Sequence, residues 1–216
     1  MSTILQILND RVIAILRGLQ EEQILKTMEA LREGGLNLVE ITFDQRKEAE
    51  ATAAMMKKAC AEFGNSMCVG AGTVMTEEQL IAARDAGAQF ILTPQTDIQM
   101  IRMAHEMGLV TIPGAFTPTE IAACHVAGAD IVKVFPAGTV GPDYIKAVRG
   151  PMPHIRLSAV GGVNLENISD FFDAGVCSVG IGSNIVDNEA IRTGNYKKIT
   201  ELAAKYRKKA GSGASK

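Results

Sequence analysis

No run of apolar residues in this 216-residue chain approaches the length of a membrane span. The N-terminus also lacks a signal-peptide core, because Asn9-Asp10-Arg11 interrupts its apolar stretch. A basic patch is missing too. Formal net charge is −2 and the Lys and Arg residues are spread out, which argues against nucleic-acid binding. The lysine-rich end (Lys197, Lys198, Lys205, Arg207, Lys208, Lys209) reads as the solvated face and closing turn of a last helix, where cations complement the dipole. Four cysteines (Cys60, Cys68, Cys124, Cys177) have no CxxC spacing and stand in apolar contexts, which predicts free buried thiols. Three histidines (His105, His125, His154) show no ligand spacing, which argues against a histidine-built metal site. Together these absences predict a soluble, cytoplasmic protein with no metal, no cofactor, and neither membrane nor nucleic acid as a partner.

What the chain does have is a repeating unit. At 47% hydrophobic and 21% charged residues it suits one large globular domain or two small ones. The recurring order is amphipathic helix, glycine, short apolar strand. Gly34-Gly35, Gly64, Gly87, Gly108, Gly128 and Gly175 each precede an apolar run, as left-handed helix C-caps do. Strands are predicted at residues 12–16, 38–43, 67–71, 90–92, 110–112, 131–135, 155–159 and 178–181. Ala49, Thr52, Ala53, Met56, Cys60 and Phe63 make one helical stripe, and Ile199, Leu202, Ala203 and Tyr206 another. Met100, Met103 and Met107, at helical spacing, read as core filler. Thr76-Glu77-Glu78-Gln79 and Thr117-Pro118-Thr119-Glu120 open helices with capping boxes. Eight strand–helix units predict an α/β protein, a single (β/α)₈ TIM barrel over residues 1–210, with 211–216 as a flexible tail or linker. A doubly wound sheet would place a glycine-rich fingerprint after the first strand, and Leu16-Arg17-Gly18-Leu19 is not one.

In such a barrel the C-terminal strand ends carry the chemistry. They present Arg17, Glu40 and Thr42, Thr73, Thr93, Pro113-Gly114, Lys133, Gly161-Gly162 and Gly182-Ser183 in turn. Lys133 stands inside the apolar run Ile131-Val132-Lys133-Val134-Phe135-Pro136, on one face with Ile131 and Phe135. Burial there disfavours the ammonium and leaves a nucleophilic amine, as a Schiff-base lysine requires. The alternative is a lysine whose stem packs while its head reaches water. Glu40 is either a carboxylate paired with Arg17 or a proton shuttle with its pKa raised by burial. Strands two and six of eight lie on opposite sides, so Glu40 and Lys133 can face each other. The two glycine turns occupy the phosphate position of this fold, with Ser183 adding a hydroxyl and capping a short helix.

Leu38-Val39-Glu40-Ile41-Thr42, Gly70-Ala71-Gly72-Thr73-Val74, Ile112-Pro113-Gly114, Val132-Lys133-Val134-Phe135-Pro136, Gly161-Gly162-Val163 and Gly182-Ser183 stand in the order of one family's motifs. From about residue 4 to 208 the chain resembles the 2-keto-3-deoxy-6-phosphogluconate/4-hydroxy-2-oxoglutarate aldolases. The resemblance implies a trimeric barrel and a class I aldolase that splits a 2-keto-3-deoxy-6-phospho-sugar acid into pyruvate and glyceraldehyde 3-phosphate. It extends to cleavage of 4-hydroxy-2-oxoglutarate. It makes Lys133 the Schiff-base residue and Glu40 the proton shuttle. Thr73, Pro113, Phe135 and Val160 become substrate contacts, and Gly161, Gly162, Gly182 and Ser183 fall at the phosphate. An arginine often found shortly after the glutamate is absent, since Phe43 continues into Asp44. Arg17 resembles instead the arginine of the phosphogalactonate branch, placed for the substrate carboxylate. Ala159-Val160 stands where the gluconate type has proline-threonine. A sugar-phosphate isomerase or epimerase needs acid–base groups but no imine-forming lysine. A non-catalytic barrel would need neither Lys133 nor Glu40.

Overall fold

The computed structural model describes residues 2–211, so residues 212–216 of the expected tail lie outside the described residues. Helix α1 (Thr3–Asp10) leads into β1 (Val12–Leu16), α2 (Glu21–Glu33), β2 (Leu38–Thr42), α3 (Ala49–Phe63) and β3 (Cys68–Gly72). Then come α4 (Glu77–Asp85), β4 (Phe90–Leu92), α5 (Ile98–Glu106), β5 (Val110–Ile112), β6 (Gly114–Ala115) and α6 (Pro118–Val126). The chain closes with β7 (Val132–Val134), α7 (Ala137–Arg149), β8 (Leu157–Val160), α8 (Ile168–Asp173), β9 (Ser178–Ile181), α9 (Asn188–Arg192) and α10 (Tyr196–Ala210).

Every ladder is parallel, in the order β5-β4-β3-β2-β1-β9-β8-β7-β6. Only Pro113 separates β5 from β6, and proline has no N–H to give a ladder. β7 bonds along both pieces: Ile131 N donates to Thr111 O (3.2 Å), Lys133 N to Pro113 O (2.8 Å) and Phe135 N to Ala115 O (3.0 Å). Asp130 reinforces the seam by accepting the backbone N–H and the hydroxyl of Thr111 at 2.8 and 3.2 Å. The sheet thereby curls into a nearly closed barrel. All eight expected strands are present, and the ninth is the short piece beyond Pro113. β8 starts at Leu157 rather than 155, because Ile155 N turns back to Met152 O (3.2 Å).

The pleat sorts the side chains. Val39, Ile41, Val132, Val134 and Ala159 face outward and pack on the helices, in one cluster with Met28, Met56 and Tyr206. Inward-facing Ile13, Leu38, Cys68, Phe90, Leu92, Ile112 and Ile131 form a second apolar cluster, to which α1 adds Ile7. Burying one such side chain contributes about 1.5–3 kcal/mol. Gly70 makes the layer possible, since a Cβ there would meet the Phe90 ring at 2.3 Å. Buried polar residues also face inward, Glu40, Thr42, Lys133, Ser158 and Ser178 among them.

Local details refine the expected pattern. Thr117 and Glu120 form the full capping box, but at α4 the Gln79 side chain accepts from Met75 N (2.8 Å) instead of Thr76 N. Gln20 and Gln23 make an unanticipated box at α2. Gly64 is right-handed (φ −58), unlike Gly87, Gly108, Gly128 and Gly175. Arg207 is not simply solvated: it bonds Asp10 O at 3.1 Å and its guanidinium lies 3.7 Å from that carboxylate. Met100 is buried in the helix-side core, with Met103 and Met107 packed against it. The cysteines are free, and burial pushes the Cys60 thiol up to about 11 and Cys68 to about 12.

Candidate active site

Lys133 sits mid-strand in β7 and is 6% exposed. Its Nζ lies 5.0 Å from the centroid of the Phe135 ring and forms no ion pair among the described residues. Burial lowers its pKa to about 8; the Glu40 charge opposes that shift and the Arg17 charge adds to it. The head is therefore largely withdrawn from bulk water, which weighs against the snorkelling alternative. Glu40, in β2, is separated from β7 by three strands on either side once β5 and β6 are taken together. The two side chains project into the barrel from opposite walls. Glu40 is 3% exposed, and burial raises its pKa against the pull of Lys133 and Arg17. Its Oε1 accepts one long bond from Thr42 Oγ1 (3.5 Å), and Oε2 has no partner. It makes no ion pair with Arg17 among the described residues, so that alternative also fails; Arg17 stands exposed at the mouth. A buried carboxyl with one oxygen unpartnered, facing an amine of lowered pKa, is costly to stability and suited to moving protons.

The glycine turns follow β8 and β9 at the C-terminal strand ends and line one cavity, which neither Lys133 nor Glu40 lines. Gly161 and Gly162 take positive φ (85 and 82), a backbone conformation that residues with a Cβ rarely adopt. Among the described residues, the N–H groups of Gly162, Ser183 and Asn184 donate to no protein acceptor. Asn184 Nδ2 ties the turns together by donating to Val163 O (2.9 Å), and Gly138 N donates to Gly161 O (2.7 Å). The packing is close: a Cβ on Gly138 would meet Gly162 Cα at 2.8 Å. A cavity of about 420 Å³ opens here, lined by both turns with Arg17, Phe135, Val160 and Asn184. The expected role of Ser183 as a helix cap is not found. Residues 182–186 form a turn through Ile185 N and Val186 N to Gly182 O (both 2.9 Å), and Asp187 caps α9. This end of the cavity is thus built from a pair of turns, with no helix starting at Ser183.

A family model described as KDPG and KHG aldolase, the keto-acid aldolases named above, matches residues 4–202. The chain belongs to this aldolase family. It is 38% identical over 175 residues to the probable 2-dehydro-3-deoxy-6-phosphogalactonate aldolase of Rhizobium meliloti (strain 1021), covering 81% of each chain. It is 36% identical to the 2-dehydro-3-deoxy-6-phosphogalactonate aldolase of Escherichia coli (strain K12), over 81% of this chain and 83% of that one. Among solved structures, the KDPG aldolase of Legionella pneumophila, with pyruvate captured at low pH as a covalent carbinolamine intermediate, superposes with a TM-score of 0.85. That pair shares 28% identity over 94% of this chain and 97% of the other.

Around the lysine of this aldolase-family chain, the remaining expected residues divide. Thr73 lines a second cavity of about 340 Å³ at the mouth, together with Arg17, Thr42, Asp44 and Gln45. Pro113 lines neither cavity; its carbonyl holds the Lys133 backbone. Thr93 is occupied in structure, donating to Gln95 O (2.5 Å) and accepting from Gly114 N (3.2 Å). His125 and His154, far apart in sequence, bring their rings to 5.0 Å at the surface. The group of three ligand-type side chains found among the described residues is instead the exposed Glu48, Glu50 and Glu78. Sequence reading missed Gly72, where a Cβ would fall 1.5 Å from Glu40 Oε1. It missed Gly138, Asn184, Gln45 and Gln79 as well. Gly72 carries a signal, since it stands in register with Thr42 beside the strand that bears Glu40; for the others the partner lies in a distant segment.

Proposed function

We propose that the chain is a class I aldolase that reversibly cleaves a 2-keto-3-deoxy-6-phospho-sugar acid to pyruvate and glyceraldehyde 3-phosphate. The carrying observation is Lys133, a buried amine at about 8, opposite the Glu40 carboxyl whose Oε2 has no partner. Lys133 Nζ attacks the C2 carbonyl, and Glu40 relays the proton to the oxygen that leaves as water. Glu40 then takes the C4 hydroxyl proton, and the C3–C4 bonding electrons flow into the protonated imine. The aldehyde departs, the resulting enamine is protonated at C3, and water releases pyruvate from the lysine.

Arg17 and Thr73 hold the carboxylate end, and Phe135 and Val160 shape the wall. The free N–H groups of Gly162 and Ser183, with Gly161 and Gly182 shaping their turns, take the phosphate. Pro113 acts through the backbone of Lys133. With β5 and β6 as one strand divided at Pro113, the barrel is a single (β/α)₈ domain over residues 1–210. Val160 offers shape without a hydroxyl, which supports cleavage of both C4 epimers, the galactonate form at least as well as the gluconate form. The family resemblance supports a cytoplasmic homotrimer and secondary cleavage of 4-hydroxy-2-oxoglutarate.

Incubation with pyruvate and borohydride, followed by intact mass and peptide mapping, tests the reading. One adduct per chain at Lys133 is expected, and none in Lys133→Arg, because guanidinium stays protonated. An adduct mapped to Lys146, or none at all, returns the site to an isomerase or a binding barrel.

A further inference from the structure

Thr73 holds a left-handed backbone (φ 54) that β-branched residues avoid. Such a conformation persists where its surroundings over-determine it. Two of its supports continue the sheet: Phe43 N donates to Gly72 O (2.9 Å), and Val74 N to Leu92 O (3.2 Å). The third is a side chain from the preceding loop. Gln45 Nε2 donates to Thr73 O at 2.8 Å. Gln45 is exposed and would sample many rotamers alone, but Gln79 aims it, donating from Nε2 to Gln45 Oε1 at 3.1 Å. Gln79 is 6% exposed, and its Oε1 accepts from Met75 N at 2.8 Å. A buried primary amide is tolerated only when bonded, and here Oε1 is committed to Met75, two residues from Thr73, and Nε2 to Gln45, which bonds Thr73 itself.

We infer that Gln45 and Gln79 are a positioning pair that sets Thr73 for the carboxylate of a 2-keto acid. Among the described residues neither the N–H nor the hydroxyl of Thr73 has a protein partner, so both remain for a ligand at the mouth. The ligand half rests on the aldolase reading; the positioning half does not. A carboxylate keeps its charge from bound substrate to transition state, so losing its contact weakens both equally and appears in KM.

The test uses Gln45→Ala, an exposed change, and Gln79→Met, which keeps volume without the amide. In the free protein, amide exchange at Val74 and Met75 is read by mass in Gln45→Ala. Neither amide bonds Gln45, so faster exchange there, by about fivefold to tenfold, reports a loosened Thr73. With the keto acid, KM should rise about tenfold while kcat stays within about twofold, in both variants. In a Thr73→Ala background, Gln45→Ala should raise KM by less, because the hydroxyl it positions is gone and only the backbone N–H of residue 73 remains. Unchanged exchange, or a KM effect of the same size in both backgrounds, overturns the inference. So does a lowered unfolding midpoint with KM unchanged, which marks a merely structural role. If the wild type turns over no keto acid, the aldolase reading fails, and exchange in Gln45→Ala still decides the positioning.

Discussion

Changing the charges around Lys133 should move its proton affinity in two opposite directions. Burial is the main cause of its lowered pKa, and neither neighbour substitution changes the burial. At about 8 the amine is neutral in roughly one molecule in eleven at pH 7; at the ordinary 10.5 it would be roughly one in three thousand. The site thus gains roughly 300-fold in nucleophile, equivalent to about 3 kcal/mol. The Glu40 charge holds the ammonium, so Glu40→Gln should lower the pKa further. Arg17 repels it, so Arg17→Ala should raise it. Trace labelling with acetic anhydride across pH, read on the peptide that carries Lys133, measures the amine without using its imine chemistry. The wild-type midpoint is expected near 8, with Glu40→Gln below it and Arg17→Ala above. A wild-type midpoint near 10.5, or a Glu40→Gln midpoint above wild type, refutes the electrostatic account. Aldol cleavage should still fall by about 10²-fold or more in Glu40→Gln, because a more available amine does not replace a lost proton carrier.

Lys133→Met should stabilise the fold by up to about 3 kcal/mol at pH 7, from the difference between 10.5 and about 8. Between those two pH values the unfolded chain binds the extra proton, so wild-type stability rises with pH there and the advantage shrinks; urea midpoints at pH 7 and pH 10 check it, and no gain at pH 7 contradicts the burial cost. Gly72→Ala should displace the Glu40 carboxyl, since the new Cβ would fall 1.5 Å from Oε1. Turnover should drop by about 10²-fold or more in a variant whose circular dichroism remains native, and near-normal turnover would remove Glu40 from its role. Val160→Thr should shift the ratio of kcat/KM toward the gluconate epimer by one hydrogen bond, about 1–3 kcal/mol or roughly tenfold to a hundredfold. Assays of both epimers on both proteins decide it: a wild type strongly selective for the gluconate form, or an unchanged ratio, reverses the assignment of Val160.

Much of this architecture is local and therefore readable in one dimension. Glycine after an amphipathic stripe, then a short apolar run, located all eight expected strands, because helix period, left-handed caps and strand alternation depend on near neighbours. Lys133 and Glu40 were visible as charges inside such runs. Their opposition followed from counting strands around a closed sheet. Four-residue windows were less reliable where a side chain had a choice of donors. Gln79 bonds Met75 rather than completing the Thr76 box, and Ser183 caps nothing, because the chain turns at 182–186 before α9 begins. The division at Pro113 was hidden because Gly114–Ala115 is too short to show a period. Only the tertiary structure brought Gly72 against the Glu40 carboxyl, Gly138 against the Gly161–Gly162 turn, and Gln45 to Gln79 across 34 residues. Those contacts form between segments whose separation is set by how the sheet curls. Composition and spacing decide which residues can serve the chemistry, and close packing between distant strand ends decides where each one points.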